Sequence, residues 1–143
     1  MPSLVLDTEL GSITLALLPE IAPVTVAHIS KNVADGLYNG LCFYRSDFVI
    51  QFGTYGSSKA SRHPPLPVNE SGRGASNLKG TLAVAHHDKP DCGSTELFIN
   101  IVDSPHLDTA YGGYAVAAKV GAEDQQSWAT ISAIAAAIKD KGR

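Results

Sequence analysis

At 143 residues the chain has the length of one ordinary domain, long enough to bury a core and too short for two, so residues 1–143 are read as a single unit. Its 44% hydrophobic and 17% charged residues are those of a folded chain, and 13 glycines with 8 prolines predict many turns. A formal net charge of -3 provides no broad basic footprint, which argues against nucleic acid as a partner, and no apolar run approaches the roughly 18–20 residues of a membrane-spanning helix.

In chain order, Ser3 to Leu18 places Leu4 and Leu6, then Ile13, Leu15 and Leu17, at alternate positions around Glu9-Leu10-Gly11-Ser12, the pattern of a hairpin. The period changes across Pro19 to Gly36. Val26, Ile29 and Val33 recur at helical spacing, with Pro23 in a tolerated first-turn position and Gly36 as the stop. Cys42 to Gly53, rich in aromatic and β-branched residues, predicts two strands broken at Ser46-Asp47. If that backbone were regular, Phe43, Arg45, Val49 and Gln51 would share one face, whereas bringing Phe48 to them requires a kink. Tyr55 to Lys79 is loop-like in composition and is expected to border a functional surface. Gly80 to His86, Glu96 to Val102 and Gly113 to Val120 read as strands. Asp124 to Lys141 reads as a helix with Trp128, Ile131, Ala135 and Ile138 on its apolar stripe. Strands with a helix near each end, and no regular alternation, predict a mainly β member of the α+β class.

Chemistry-bearing motifs are sparse. Cys42 and Cys92 lie far apart without C-x-x-C spacing and are expected to be free thiols. His86, His87, Asp88 and Cys92 include zinc-ligand types, but adjacent strand side chains point oppositely, which disfavours a dedicated metal site. Glu70 to Gly74 lacks the G-x-S-x-G elbow of a serine hydrolase, and Gly72 to Gly80 lacks the phosphate-cradling G-x-x-x-x-G-K-[ST] arrangement. The first residues lack the basic-then-apolar order of a secretory leader, so a cytoplasmic location is expected.

The segments LYNGLCFYRSDFVIQFG, KGTLAVA and STELFINIVDSPHLD, at Leu37–Gly53, Lys79–Ala85 and Ser94–Asp108, together resemble the cyclophilin family, nearest its single-domain bacterial cytoplasmic members. The resemblance implies an antiparallel β-barrel capped by two helices, with a substrate groove on the barrel's outer face. It implies catalytic roles for Arg45 and Gln51. It implies substrate contacts for Phe48, Val49, Ala85, His86, Glu96, Phe98, His106, Leu107 and Tyr114, with Phe98 flooring a proline pocket and Leu107 walling it. The activity implied is peptidyl-prolyl cis-trans isomerisation without metal or organic cofactor, on proline-containing peptides or proteins.

Departures from the family pattern carry further expectations. The Arg45 to Phe48 segment is about two residues short, which would displace Phe48; Tyr44 stands for a histidine, and Glu96 for a glutamine, bringing a negative charge towards the substrate backbone. His106 occupies a position where some members carry the tryptophan that favours cyclosporin, so weakened binding of that drug is expected. The family usually continues past the second helix into a strand that closes the barrel, whereas this sequence stops at Arg143; the expectation is an open barrel, a strand supplied by another molecule, or a truncated product, and an open sheet edge would favour self-association. The competing function is a proline-peptide binding or assembly module with little turnover.

Overall fold

A computed structural model describes residues 3–54, 59, 61, 66–72, 74–86 and 95–140. Among these residues seven antiparallel strands form one sheet: β1 (Ser3–Thr8), β2 (Gly11–Leu17), β3 (Phe43–Ser46), β4 (Val49–Phe52), β5 (Thr81–Val84), β6 (Leu97–Asn100) and β7 (Val116–Val120). Their spatial order is β1-β2-β7-β5-β6-β4-β3. Helix α1 (Pro23–Ala34) follows the opening hairpin and α2 (Gln125–Asp140) follows β7. The predicted elements therefore occur in the predicted order, with β5, β6 and β7 shorter than expected.

Alternation along the strands divides the sheet into two faces. Ile13 and Leu15 of β2, Ile50 and Phe52 of β4, Leu82 and Val84 of β5, and Leu97 and Ile99 of β6 fill the inner face. Val26 and Ile29 of α1 and Ile131 and Ile134 of α2 join the same core, while Trp128 and Ala135 pack at its margin. Ile134 was not part of the expected stripe, and the Ile138 side chain lies outside the described residues. Val33 departs from its expected burial: it is 40% exposed and lines a cleft of about 230 Å³ between β1 and the chain leading into β3. The two edge strands thus face one another across an opening, so the sheet curls into an incomplete barrel.

Polar contacts fix how the helices sit on this sheet. Ser127 Oγ accepts from the Thr14 N–H at 2.8 Å, and Ser46 Oγ donates to the Ala135 carbonyl at 3.2 Å, tying α2 to β2 and β3. The start of α1 has no cap from its own neighbours; the buried Glu70 carboxylate instead accepts from the Val24 and Thr25 N–H groups and from Thr25 Oγ1. One segment of the long loop is thereby a helix cap, satisfying orphan donors that would otherwise be buried. At the entry to β5, Gly80 has φ +89° and lies beneath the Trp128 ring, which occupies the space a Cβ would need. Gly80 is therefore required both for its backbone conformation and for the seating of α2.

Candidate active site

The outer face carries a second, smaller apolar cluster of Leu18, Val49, Ala83, Phe98, Leu107 and Val116, bordered by Ile21, Phe48, Ala75, Ala85 and Tyr114. Strand register explains why these residues meet. Arg45 pairs with Gln51, Gln51 with Phe98, Phe98 with Ala83, and Ala83 with Val116, so one row crosses five strands from a guanidinium to an apolar floor. Phe98 and Leu107 are 4% and 8% exposed, and Val49 is equally buried beside them.

A bulge in β3 corrects the regular-strand expectation. Phe43 pairs with Phe52 but Arg45 pairs with Gln51, leaving Tyr44 as the extra residue. Phe43 consequently faces the inner core, its ring tilted against that of Phe52 with centroids 4.9 Å apart, while Arg45 faces out. The bulge also lets two adjacent side chains reach one partner, which a regular strand forbids. Gln51 Oε1 accepts from Arg45 Nη1 at 3.0 Å, and Gln51 Nε2 donates to the Tyr44 hydroxyl at 2.9 Å.

The short turn after Arg45 holds Phe48 in the groove. Asp47 accepts from the Val49 N–H at 3.2 Å and from Arg45 Nε at 2.9 Å, so one carboxylate closes the turn and pins the guanidinium. The Phe48 carbonyl accepts from the Ile101 N–H at 3.2 Å, fastening the turn to the end of β6. The Phe48 ring packs against the groove cluster, 5.5 Å from the His106 ring, with Arg45 Cζ 5.6 Å from its centroid. The expected displacement of Phe48 is therefore not observed; a two-residue turn suffices because Asp47 closes it.

Arg45 is about half exposed. Its Nε and Nη1 are engaged by Asp47 and Gln51, which leaves Nη2 without a hydrogen bond among the described residues. A planar guanidinium held at two nitrogens presents the third in a fixed direction.

The far wall is built from His86 and Tyr114. Their rings stack at 4.2 Å with an interplanar angle of 15°, His86 Nε2 contacts the Gly113 carbonyl at 2.7 Å, and Tyr114 meets Phe98 edge-on at 5.7 Å. Leu107 is held by the turn Pro105–Asp108. Burial would raise the Asp108 pKa, but hydrogen bonds from Ser76 and from the Asn77 side chain and N–H, aided by the charge of His106, outweigh it and hold the carboxyl below its ordinary value. The loop thus borders the groove as expected, through Ala75 packing and the Ser76 and Asn77 bonds.

Glu96, expected to bring a negative charge towards the substrate backbone, is bonded within the protein. Its Oε1 accepts from the Tyr44 hydroxyl at 2.8 Å, and its Oε2 accepts from the Thr54 N–H at 3.0 Å and from Thr95 Oγ1 at 2.8 Å. Burial, followed by this bond to Glu96, pushes the Tyr44 phenol above its ordinary pKa. Both Glu96 carboxylate oxygens thus accept from protein donors. Among the described residues no cluster of metal-ligating side chains occurs; His87, Asp88 and Cys92 lie outside them. No helix among the described residues is long and apolar enough to cross a membrane. Ala83, Val116, Leu18 and Asp47 were not among the expected site residues; Ala83 and Val116 follow from the register with Phe98, which sequence does not supply.

This curled sheet with its outer-face groove matches, over residues 3–142, the family model for cyclophilin type peptidyl-prolyl cis-trans isomerase/CLD, and the chain belongs to that family. It is 38% identical over 120 residues to peptidyl-prolyl cis-trans isomerase A of Dickeya dadantii, covering 80% of this chain and 63% of that protein. It is 33% identical over 120 residues to a peptidyl-prolyl cis-trans isomerase of Acinetobacter baylyi, covering 80% and 64%. The matched region thus spans less than two thirds of each of these relatives. Among solved structures, a Cryptosporidium parvum cyclophilin type isomerase crystallised in the presence of the dipeptide Ala-Pro superposes with a TM-score of 0.77 at 18% identity, covering 94% of this chain and 85% of that one. That likeness is one of fold.

Proposed function

We propose that this chain is a peptidyl-prolyl cis-trans isomerase whose substrate proline sits on Val49, Phe98 and Leu107 while Arg45 acts on the prolyl nitrogen. The observation that carries the reading is the row from Arg45 to Phe98, which sets a guanidinium anchored through Nε and Nη1 beside an apolar depression. That the Cryptosporidium parvum structure was determined in the presence of Ala-Pro supports the same substrate class.

The chemistry needs little more. The barrier to peptide rotation, roughly 18–20 kcal/mol, comes from sharing the nitrogen lone pair with the carbonyl. In the twisted state the prolyl nitrogen recovers that lone pair and becomes a hydrogen-bond acceptor, which it is not when planar. A donor aimed at this nitrogen stabilises the transition state more than the ground state and so accelerates rotation. Nη2 of Arg45 is that donor; the pocket grips the proline ring while the preceding carbonyl turns. Phe48, His106, Ala85, His86 and Tyr114 border the bound segment, and Gln51 and Asp47 hold the guanidinium in register.

The test is the rate of cis/trans exchange of a short Xaa-Pro peptide, with wild type and Arg45→Ala compared at equal concentration. Acceleration by wild type and its loss in the folded variant support the reading; binding without acceleration would assign the chain a binding or assembly role instead.

The proposal extends to three finer points. Cyclosporin binds weakly because His106 offers a smaller apolar surface than tryptophan, which calorimetric titration measures. The open edges of β1 and β3, beside exposed Val5 and Val33, support pairing with a second copy of this chain, and sedimentation showing only monomer at high concentration would reject it. Action in the cytoplasm is tested by fractionating cells that express the full natural chain.

A further inference from the structure

Behind Arg45 the hydrogen bonds run in one direction: Arg45 Nη1 to Gln51 Oε1, Gln51 Nε2 to the Tyr44 hydroxyl, and the Tyr44 hydroxyl to Glu96 Oε1. We propose that Tyr44 and Glu96 are positioning residues for isomerisation, setting the polarity of this relay so that the carbonyl end of Gln51 faces the Arg45 guanidinium. The inference rests on the isomerase reading of the groove and deepens it.

The logic follows from what each group can donate. A carboxylate only accepts, so the Tyr44 hydroxyl spends its single proton on Glu96 and turns a lone pair towards Gln51. Gln51 must then present its NH2 end to Tyr44, which leaves its oxygen for the guanidinium, an obligate donor. With Tyr44 absent, nothing in the relay distinguishes the two amide orientations except Arg45 itself. With a neutral amide in place of Glu96, Tyr44 could instead accept from that amide and donate to Gln51; the flipped Gln51 would then point its NH2 at Arg45, and the guanidinium would lose one of its two anchors.

Two further features support the assignment. The Thr54 N–H, an obligate donor, holds Glu96 Oε2 at 3.0 Å, and Thr95 Oγ1 donates to the same oxygen at 2.8 Å, so the carboxylate is fixed as the acceptor end. Gly53 leaves room for it: a Cβ there would coincide with the Glu96 carboxyl group. The β3 bulge is what brings Tyr44 onto the same partner as Arg45, so the relay depends on a specific backbone irregularity and not on general packing.

The experiment compares Tyr44→Phe and the isosteric Glu96→Gln with wild type, each also made in a Gln51→Ala background, using Xaa-Pro exchange kinetics and NMR of the Gln51 side-chain amide. A positioning role predicts that each single variant lowers kcat by about three- to tenfold with KM nearly unchanged, the loss expected for one neutral hydrogen bond felt in the transition state. It predicts no further loss when either change is added to Gln51→Ala, and contacts between the Gln51 amide protons and the Tyr44 ring in wild type that weaken in Glu96→Gln. Equal losses in both backgrounds would overturn it, because a structural role does not pass through Gln51. If wild type accelerates no exchange, the isomerase reading fails on its own; the amide contacts still decide the relay, and their absence in wild type would overturn it independently.

Discussion

Replacing Arg45 with lysine keeps the positive charge and removes the geometry. In the wild-type chain Nε is held by Asp47 at 2.9 Å and Nη1 by Gln51 at 3.0 Å, so in the proposed mechanism Nη2 reaches the prolyl nitrogen without further ordering. A lysine ammonium is one nitrogen on a flexible stem: bonded to Asp47 or Gln51 it is withdrawn from substrate, and bonded to substrate it is unanchored. The variant therefore forfeits one hydrogen bond from a charged donor, about 1.5–3 kcal/mol, equivalent to roughly a 10- to 150-fold fall in kcat/KM. The fall resides in kcat, because the floor of Val49, Phe98 and Leu107 is untouched and that donor acts only in the twisted state. Position 45 is half exposed and outside both apolar clusters, so the melting temperature should barely move. NMR exchange on one Xaa-Pro peptide measures the rate, and a thermal melt checks the fold. A folded Arg45→Lys variant retaining more than half the wild-type kcat/KM would refute the reasoning, since charge alone would then suffice.

Other perturbations test the scaffold that holds this site. Glu70→Ala strips the start of α1 of its acceptors and should cost roughly 1–3 kcal/mol, seen as a clear drop in melting temperature; an unchanged melt would show that Glu70 is not the cap. Asp108 has a folded-state pKa below its ordinary value, so its contribution to stability is present above about pH 4 and is lost as the pH falls through the lower, folded value. Asp108→Asn should therefore be less stable near neutrality, with the gap closing in acid; a constant gap across pH in urea titrations would contradict this. Gly80→Ala, with a Cβ driven against Trp128 at φ +89°, should destabilise by roughly 1–3 kcal/mol and quench or shift the tryptophan fluorescence, whereas a wild-type spectrum and melt would count against the packing described.

Element order and type were legible because period and punctuation agree in this chain: alternation around Gly11, helical spacing after Pro23, and aromatic and β-branched strands broken at Ser46-Asp47. The groove was legible only through the resemblance. Val49, Phe98 and Leu107 have the composition of any core, and nothing in their spacing reveals that they belong to the outer cluster while Ile50, Leu97 and Ile99 belong to the inner one. That distinction comes from strand pairing, which also brings in Ala83 and Val116. Three features were hidden for a common reason, namely that each joins residues distant in sequence or depends on one irregular residue. The bulge at Tyr44 turned Phe43 inward, Glu70 capped a helix some 45 positions earlier, and Tyr44 with Thr54 engaged the Glu96 carboxylate. The turn at Asp47 shows the same limit in reverse. Its shortness read as a defect, yet a carboxylate that closes the turn also anchors the catalytic candidate.

The central claim, that the outer-face groove binds a proline-containing segment and speeds its isomerisation, is tested most directly by recording two-dimensional NMR spectra of the wild-type chain with an Ala-Pro-containing peptide. The account predicts saturable shifts confined to Arg45, Gln51, Phe98, Leu107 and Tyr114 and their immediate neighbours, together with cis/trans exchange cross-peaks of the peptide at substoichiometric protein. Shifts centred elsewhere, or exchange that stays at the rate of peptide alone, would contradict it.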